Sequence, residues 1–166
     1  MKRLILMRHA EAQPDHLFKV DRDRTLSGIG LKQVDSMGQK LHQKFGGVDY
    51  VLCSNARRTR QTFDGVKKHL PSNVEVSFED KLYGAAAHLL LERLRRIEDR
   101  YQNVLVLGHN PGLQQFLNAV IECKQPPCLV KNFQTCSAAF FDVSDLGWFA
   151  VNFSSFQLAD QIFPSL

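Results

Sequence analysis

Residues 4–13 read LILMRHAEAQ, and this stretch determines how the rest of the chain is interpreted. Four apolar residues in a row, Leu4–Met7, are followed at once by Arg8 and His9. Because the run does not alternate with polar residues, it predicts a strand over Arg3–Met7 that is buried on both faces, as in a parallel sheet. The cation and the imidazole then lie just past the carboxyl end of the strand, where open α/β sheets bind ligands.

Strands and helices alternate along most of the remaining chain. A helix is predicted from about Ser27, a natural N-cap residue, with Val34, Met37, Leu41 and Phe45 on its buried face. A second helix, over residues 86–101, places five apolar residues on its inner side: Leu89, Leu90, Leu94, Ile97 and Tyr101. The other predicted strands are VDYVLCS (48–54), NVEVSF (73–78) and NVLVLG (103–108), and the other predicted helices are ARRTRQTFDGVKKHL (56–70) and LQQFLNAVI (113–121).

This alternation predicts an α/β fold with right-handed crossovers and a mainly parallel sheet. We expect a three-layer α/β/α sandwich in a single domain over residues 1–166, with an antiparallel hairpin at the C-terminal edge. SAAFFDV (137–143) and WFAVNFS (148–154) are the predicted strands of that hairpin, and SDLG is its turn. The residues from about 157 onward have no clear pattern.

Charge and composition narrow the class of partner. The 166-residue chain has a formal net charge of +4, and its basic residues are scattered, with local clusters in RRTR (57–60) and RLRR (93–96). A nucleic-acid-binding surface would need a longer basic stripe and exposed aromatic residues, so we expect no nucleic-acid partner. The mild excess of positive charge favours small anionic groups such as phosphates.

Targeting and cysteine signals point to a cytoplasmic protein without membrane contact. The apolar run after the basic residues 1–3 is far too short for a signal peptide, and no stretch approaches the ~18 apolar residues of a spanning helix. Disulfides are uncommon in a reducing compartment, and no histidine lies near the Cys123/Cys128 pair to complete a zinc site. We therefore expect free, mostly structural thiols at Cys53, Cys123, Cys128 and Cys136.

Polar residues follow three of the predicted strands at the same edge of the sheet. Arg8-His9 ends the first strand, Ser54 ends the second with Arg57-Arg58 one helical turn later, and His109-Asn110 follows the fourth. Arginine forks match phosphate oxygens, and a neutral imidazole is a competent nucleophile toward phosphorus. No carboxylate cluster with two-metal spacing is visible, so we expect a metal-independent mechanism without a cofactor.

Four segments in order resemble the histidine phosphatase superfamily, which includes the phosphoglycerate mutases. LMRHAEA (6–12) resembles its Arg-His signature, and DRTLSGIG (23–30) its Arg-x-Leu-Ser/Thr-x-x-Gly segment. CSNARRTRQT (53–62) is similar to the Ser-Pro-x-x-Arg-x-x-Gln-Thr element, and LVLGHNPGL (105–113) to the second-histidine strand and turn. The hairpin segment TCSAAFFDV (135–143) also fits. The short length resembles the SixA-type branch of phosphohistidine phosphatases more than the mutases.

The resemblance implies a role for each matching residue. His9 would be the nucleophile that becomes phosphohistidine, Arg8 would hold phosphoryl oxygens, and His109 would stabilise the transferring group. Arg58 matches the arginine of the third segment, with Arg57 beside it as the rival assignment. Arg24 matches the arginine of the second segment and would also reach the phosphate.

The chain departs from the family in three places. Ala10 replaces the commoner glycine, and Asn55 replaces the usual proline. Mutase-like members use a glutamate after the third strand as general acid, and Glu79 is the expected counterpart here. Asp80 and Glu11 are the alternatives, and a phosphohistidine substrate would need little help from an acid because a protonated imidazole leaves readily.

The implied function is therefore a phosphatase with a phospho-His9 intermediate. The substrate would be phosphohistidine in a protein or, as the alternative, a small phosphorylated metabolite such as a sugar phosphate or nucleotide. A non-catalytic phosphate-binding module is a further alternative. The oligomeric state is left open.

Overall fold

A computed structural model describes residues 1–45, 47–124 and 130–165. Within these ranges a six-stranded sheet has the order β3-β2-β4-β1-β5-β6. The strands are β1 (Lys2–Arg8), β2 (Tyr50–Ser54), β3 (Glu75–Glu79), β4 (Asn103–Gly108), β5 (Ala138–Val143) and β6 (Phe156–Ile162). The helices are α1 (Gly28–Phe45), α2 (Arg57–Lys67), α3 (Ala87–Leu94) and α4 (Gly112–Glu122).

Helices cover both faces of the sheet, which confirms the three-layer α/β/α prediction. The first four strands run parallel, and β5 and β6 are antiparallel at one edge. Leu4 and Leu6 pack in the core beneath α3 and α4, whereas Ile5 and Met7 pack in the core beneath α1 and α2. All four side chains are fully buried, because β1 lies in the middle of the sheet and has no polar face.

The register of the sheet brings the polar strand ends together. In the parallel pairing of β1 with β4, Arg8 lies opposite Gly108, so His9 and His109 each follow a paired residue. β2 pairs with the other side of β4 and ends at Ser54, which lies opposite Glu79 of β3. The carboxyl ends of these four strands thus form one edge.

The helix α1 begins where the sequence predicts. The Ser27 hydroxyl accepts a hydrogen bond from the Gly30 amide at 3.0 Å, which is the geometry of an N-cap. Gly30 itself packs against the segment that follows β1, and a Cβ there would overlap the carbonyl oxygen of Glu11. The second glycine of DRTLSGIG therefore allows the start of α1 to lie directly against the residues after His9.

The prediction of the second strand of the edge hairpin is wrong. Residues 148–154 form 3₁₀ turns, and the partner of β5 is β6, in the segment that had no clear pattern. Trp148 is fully buried, and its indole N–H donates to the Tyr101 carbonyl at 2.8 Å, while Phe149 is exposed. Because this large ring is buried against Tyr101, residues 148–154 leave the sheet, although their apolar residues alternate as those of a strand do.

The helix predicted over residues 86–101 is shorter than expected. α3 ends at Leu94, and the chain continues in turns to β4. Leu89, assigned to the inner side, is instead 46% exposed, and Leu91 takes the buried position with Leu90 and Leu94. With three consecutive leucines, the sequence does not show which two face the core. Packing of α3 against α4 buries Leu90 and Leu91.

Three of the four cysteines lie in the described residues as free thiols. Cys53 and Cys136 are buried, which raises the pKa of each to about 12, and Cys123 is exposed. Cys128 lies in residues 125–129, outside the described residues. In the part of the chain that the structure describes, none of the helices has the length and hydropathy to cross a bilayer.

Candidate active site

Two imidazoles and a guanidinium group meet at the carboxyl edge of the sheet. The ring centroids of His9 and His109 are 5.1 Å apart. Arg58 lies against both rings, with its Nε donating to His9 Nε2 at 3.2 Å and its Nη2 3.5 Å from His109 Nδ1. All three residues are buried, with 6–9% of their surface exposed.

Hydrogen bonds determine which nitrogen of His9 is free. The carbonyl oxygen of Ala10 can only accept, so His9 Nδ1 carries the hydrogen and donates to it at 2.8 Å. The lone pair on Nε2 therefore points toward the guanidinium of Arg58. Burial, and then the positive charges of Arg58, Arg8 and Arg24, lower the pKa of His9 to about 4. His9 is thus a neutral imidazole near pH 7, with its nucleophilic nitrogen on the cationic side of the site.

His109 is held from both sides of its ring. Since arginine can only donate, Nδ1 accepts from Arg58 and Nε2 donates to the Ser54 hydroxyl at 2.8 Å. Burial, the charge that His9 acquires when it is protonated below about pH 4, and the charge of Arg58 lower the pKa of His109 to about 3. In the unliganded site, His109 is therefore a neutral ring oriented by the last residue of β2.

These shifts predict a pH response that NMR can measure. The imidazole signals of His9 and His109 should keep neutral-form chemical shifts from pH 8 down to about pH 5, and change only below that. The free energy of unfolding should fall as the pH drops from 6.5 toward 4, because only the unfolded chain takes up these protons in that window. Signals that titrate near pH 6.5 would contradict the neutral assignment; His9→Ala and His109→Ala spectra supply the assignments.

Arg8 supplies a cation with unused hydrogen-bonding capacity. Its Nη1 donates to the Phe133 carbonyl at 3.0 Å, which also accepts from the Asn110 amide at 3.2 Å. Among the described residues, its buried Nε has no hydrogen-bond partner and Arg8 forms no ion pair. A half-buried guanidinium with a buried, unpartnered Nε fits a site that receives an anion.

Of the two rival arginines, the structure brings Arg58 into the cluster and leaves Arg57 exposed. Both lie in the first turn of α2, and one residue of offset rotates them to different faces of the helix. Thr62, one turn later, fixes α2 against the segment after His9, because its hydroxyl accepts from the Ala10 amide at 3.1 Å. The threonine of the third segment thus holds the helix that carries Arg58.

Arg24 lies at the mouth of the site and reaches the cluster through Asp21. Its Nη1 donates to Asp21 Oδ1 at 3.0 Å, and Asp21 Oδ2 accepts from Arg58 Nη2 at 2.9 Å. Tyr83 donates to the same oxygen at 2.5 Å, and its ring meets the His109 ring edge-on. Neither Asp21 nor Tyr83 belongs to a motif that can be recognised in the sequence. The three-residue spacing between Asp21 and Arg24 allows an ion pair within one turn, and this was the sequence feature that could have indicated Asp21. No comparable feature indicates Tyr83.

The three candidate acids are engaged elsewhere. Glu79 forms an ion pair with Arg93 and accepts from Ser77. Asp80 is exposed and bonds to Arg22 and to the Asn55 amide. Glu11 accepts a hydrogen bond from the N-cap hydroxyl of α1 at 2.7 Å. None of these carboxylates has a recorded hydrogen bond to either imidazole, and Asp21 is the carboxylate that joins the cluster.

The cluster can bind a tetrahedral anion and attack it. Arg8 offers unpaired donors, Arg58 offers a fork, and His9 offers a neutral nucleophile beside them. No group of three or more metal-ligating side chains gathers anywhere in the described ranges.

Comparison with known proteins gives a family and relatives. A family model, the histidine phosphatase superfamily (branch 1), matches residues 4–103. An uncharacterised protein of Mycobacterium tuberculosis is 37% identical over 106 residues, which cover 63% of this chain and 63% of that protein. The match therefore spans less than two thirds of this relative.

Solved structures share the fold over nearly the whole chain. A protein of Nakamurella multipartitia, provisionally named phosphohistidine phosphatase SixA, superposes with a TM-score of 0.86 and 26% identity, covering 99% of this chain and 97% of that one. An Escherichia coli protein, provisionally named α-ribazole-5'-phosphate phosphatase, has a TM-score of 0.68 and 18% identity, covering 99% and 98%. At 18% identity the second likeness shows the fold alone.

Proposed function

We propose that this chain, which belongs to the histidine phosphatase superfamily, is a phosphatase that transfers a phosphoryl group first to His9 and then to water, and that its substrate is phosphohistidine in a protein. The observation that carries the proposal is the state of His9. A neutral imidazole presents its unprotonated Nε2 to Arg58, and Arg8, whose buried Nε has no hydrogen-bond partner among the described residues, adds a second cation to the site.

The reaction proceeds by two displacements at phosphorus. His9 Nε2 attacks, the bond from phosphorus to the leaving nitrogen or oxygen breaks, and the leaving group takes a proton from water. Water then attacks phospho-His9, the phosphorus–Nε2 bond breaks, and inorganic phosphate leaves with the imidazole restored. Arg8 and Arg58 offset the charge on the phosphoryl oxygens, and His109 contacts the same group from the other side.

The positions of the carboxylates favour a phosphoramidate substrate. Glu79 is paired with Arg93, and Asp80 and Glu11 are bonded away from the imidazoles. Asp21 accepts from Tyr83, Arg24 and Arg58, which together hold its pKa well below the usual value, so it is a poor proton donor. An alkyl ester needs an acid to protonate its alkoxide, whereas an imidazole leaves at low cost.

The mouth of the site favours a protein as the carrier of the phosphoryl group. Leu17 and Val20 lie in the segment between β1 and α1 that also supplies Asp21, and they are 59% and 51% exposed. Two large apolar side chains exposed in the segment that carries Asp21 support a surface there that contacts another protein. The Nakamurella protein with a similar fold carries a phosphohistidine phosphatase name.

Small-molecule phosphomonoester hydrolysis is the second candidate. The Escherichia coli protein with a similar fold is named for a small phosphorylated metabolite. Hydrolysis of such an ester would use the same nucleophile and the same arginines, so the cluster serves this substrate class as well.

The test compares phosphate release from a phosphohistidine-bearing protein domain with release from an aryl phosphate, both in the presence of a chelator. We expect faster turnover of the phosphohistidine protein, undiminished by the chelator. Faster turnover of the aryl phosphate would move the assignment to metabolite hydrolysis. Loss of all activity with the chelator would contradict the mechanism through His9 alone, and no release from either substrate would contradict the phosphatase assignment.

A further inference from the structure

A carboxylate of the protein already occupies the anion-binding face of Arg58. Asp21 Oδ2 accepts from Arg58 Nη2 at 2.9 Å, and the main-chain oxygen of Asp21 accepts from Nη1 at 2.7 Å. The same carboxylate accepts from Tyr83 and from Arg24. Three donors from separate parts of the chain thus converge on a single anionic group, as they would on a phosphoryl group.

The Asp21 carboxylate lies where the phosphoryl group of a substrate would bind to Arg58. Arg58 Nη2, which holds Asp21, is the atom that also lies 3.5 Å from His109 Nδ1, and the charge of Asp21 acts on His109. Meanwhile Arg58 Nε occupies the Nε2 lone pair of His9. Each nitrogen of the guanidinium is therefore engaged, and the nucleophile is covered, as long as Asp21 stays in place.

We propose that the Asp21 carboxylate is an internal ligand of the phosphoryl site, and that substrate binds by exchanging its phosphoryl oxygens for this carboxylate on Arg58 and Tyr83. This inference rests on the proposed function, because it assumes that the phosphoryl group binds between Arg58 and the two imidazoles. The exchange shifts the Arg58 fork toward the new anion and frees His9 Nε2 for attack.

The location of Asp21 makes the exchange inexpensive. It begins the 3₁₀ turn Asp21–Asp23, and its side chain is 44% exposed, so the displaced carboxylate moves a short way into water. The exchange also discriminates between ligands. A dianionic phosphoryl group replaces the charge-assisted bonds that Asp21 gives up, whereas a monoanion such as a phosphodiester offers fewer charges to the same donors.

The test measures the affinity of inorganic phosphate by calorimetry for wild type, Asp21→Asn, Asp21→Ala and Asp23→Asn. Asp23 is the matched control because it is exposed, lies in the same turn, and its substitution removes the same charge. We expect both Asp21 variants to bind phosphate at least about tenfold more tightly than wild type, since a competing charge within a few ångströms of the site is removed. Asp23→Asn should change the affinity less than about twofold, because solvent screens its charge.

Hydrogen exchange supplies a readout that a change in net charge alone would not move. Saturating phosphate should speed exchange of the Asp23 and Arg24 amides in wild type, because the turn loses the contacts of Asp21. Protection of these amides would overturn the exchange, since it would mean that the turn closes over the anion. Unchanged or weaker phosphate binding by the Asp21 variants would overturn it too.

The outcomes separate this inference from the proposed function. If wild type releases phosphate from substrate but the Asp21 variants bind phosphate no more tightly, the proposed function stands and the role of Asp21 as an internal ligand is rejected. Equal tightening in Asp23→Asn has the same meaning, because it reduces the effect to net charge. If wild type and all variants fail to bind phosphate, the pocket assignment falls and the inference falls with it.

Discussion

Replacement of His9 by alanine is expected to lower kcat by at least about ten-thousand-fold, because in the proposed mechanism this side chain forms the covalent intermediate. The ring bonds to the Ala10 carbonyl and to Arg58 at the edge of the sheet, and it belongs to neither of the two hydrophobic cores. We therefore expect the folded state to persist, and phosphate binding to survive on Arg8 and Arg58. The measurement is single-turnover phosphate release beside a thermal unfolding curve.

The control is His42→Ala, which removes an exposed imidazole near the C-terminal end of α1, where the ring bonds to the His69 carbonyl and not to any residue of the cluster. It should leave turnover unchanged. Wild type quenched during turnover should carry phosphate on a histidine, in a form stable to alkali and labile to acid, and His9→Ala should not. Turnover by His9→Ala near the wild-type rate would end the assignment of His9 as nucleophile.

Replacement of Arg58 by lysine should lower kcat/KM by about a hundredfold to a thousandfold although the charge is kept. The guanidinium reaches His9 with Nε and the main-chain oxygen of Asp21 with Nη1, and its Nη2 reaches both His109 and the Asp21 carboxylate. A single ammonium group cannot hold that geometry, so the transferring phosphoryl oxygens lose an aligned fork.

Arg57→Lys is the matched control, since this neighbour lies on the same helix turn but is exposed. We expect it to alter kcat/KM less than about twofold, as for an exposed charge outside the site. A larger loss for Arg57→Lys than for Arg58→Lys would reverse the assignment of the pocket arginine. Both variants should be compared at one ionic strength, because screening changes the contribution of exposed charges.

The site residues at the ends of the strands could be predicted from the sequence, because the apolar pattern of each strand shows where it ends. The unbroken apolar run before Arg8 indicates a central strand, and the parallel sheet then places His9 and His109 at one edge. The choice between Arg57 and Arg58 depends on the rotation of α2 by one residue, which the resemblance indicated and the residue types alone did not.

The parts that escaped prediction depend on tertiary contacts. Asp21 lies in a polar loop, and only its meeting with Arg58 and Tyr83, which come from distant segments, gives it significance. Residues 148–154 show the alternation of a strand, yet the fit of Trp148 against Tyr101 overrides it. Leu89 and Leu91 have identical local propensity, and the neighbouring helix decides which is buried.

The central position of β1 has a consequence for how the protein is made. Both neighbours of β1 in the sheet, β4 and β5, follow it by about a hundred residues or more, so the ribosome releases Leu4–Met7 long before any strand can cover it. During synthesis the buried run Leu4–Met7 remains unpaired, and a loop spanning α1 to β4 must close before His9 meets His109. Recovery of enzymatic turnover during refolding therefore reports a late, long-range step. A chaperone that binds extended apolar peptides has the most time to act on β1.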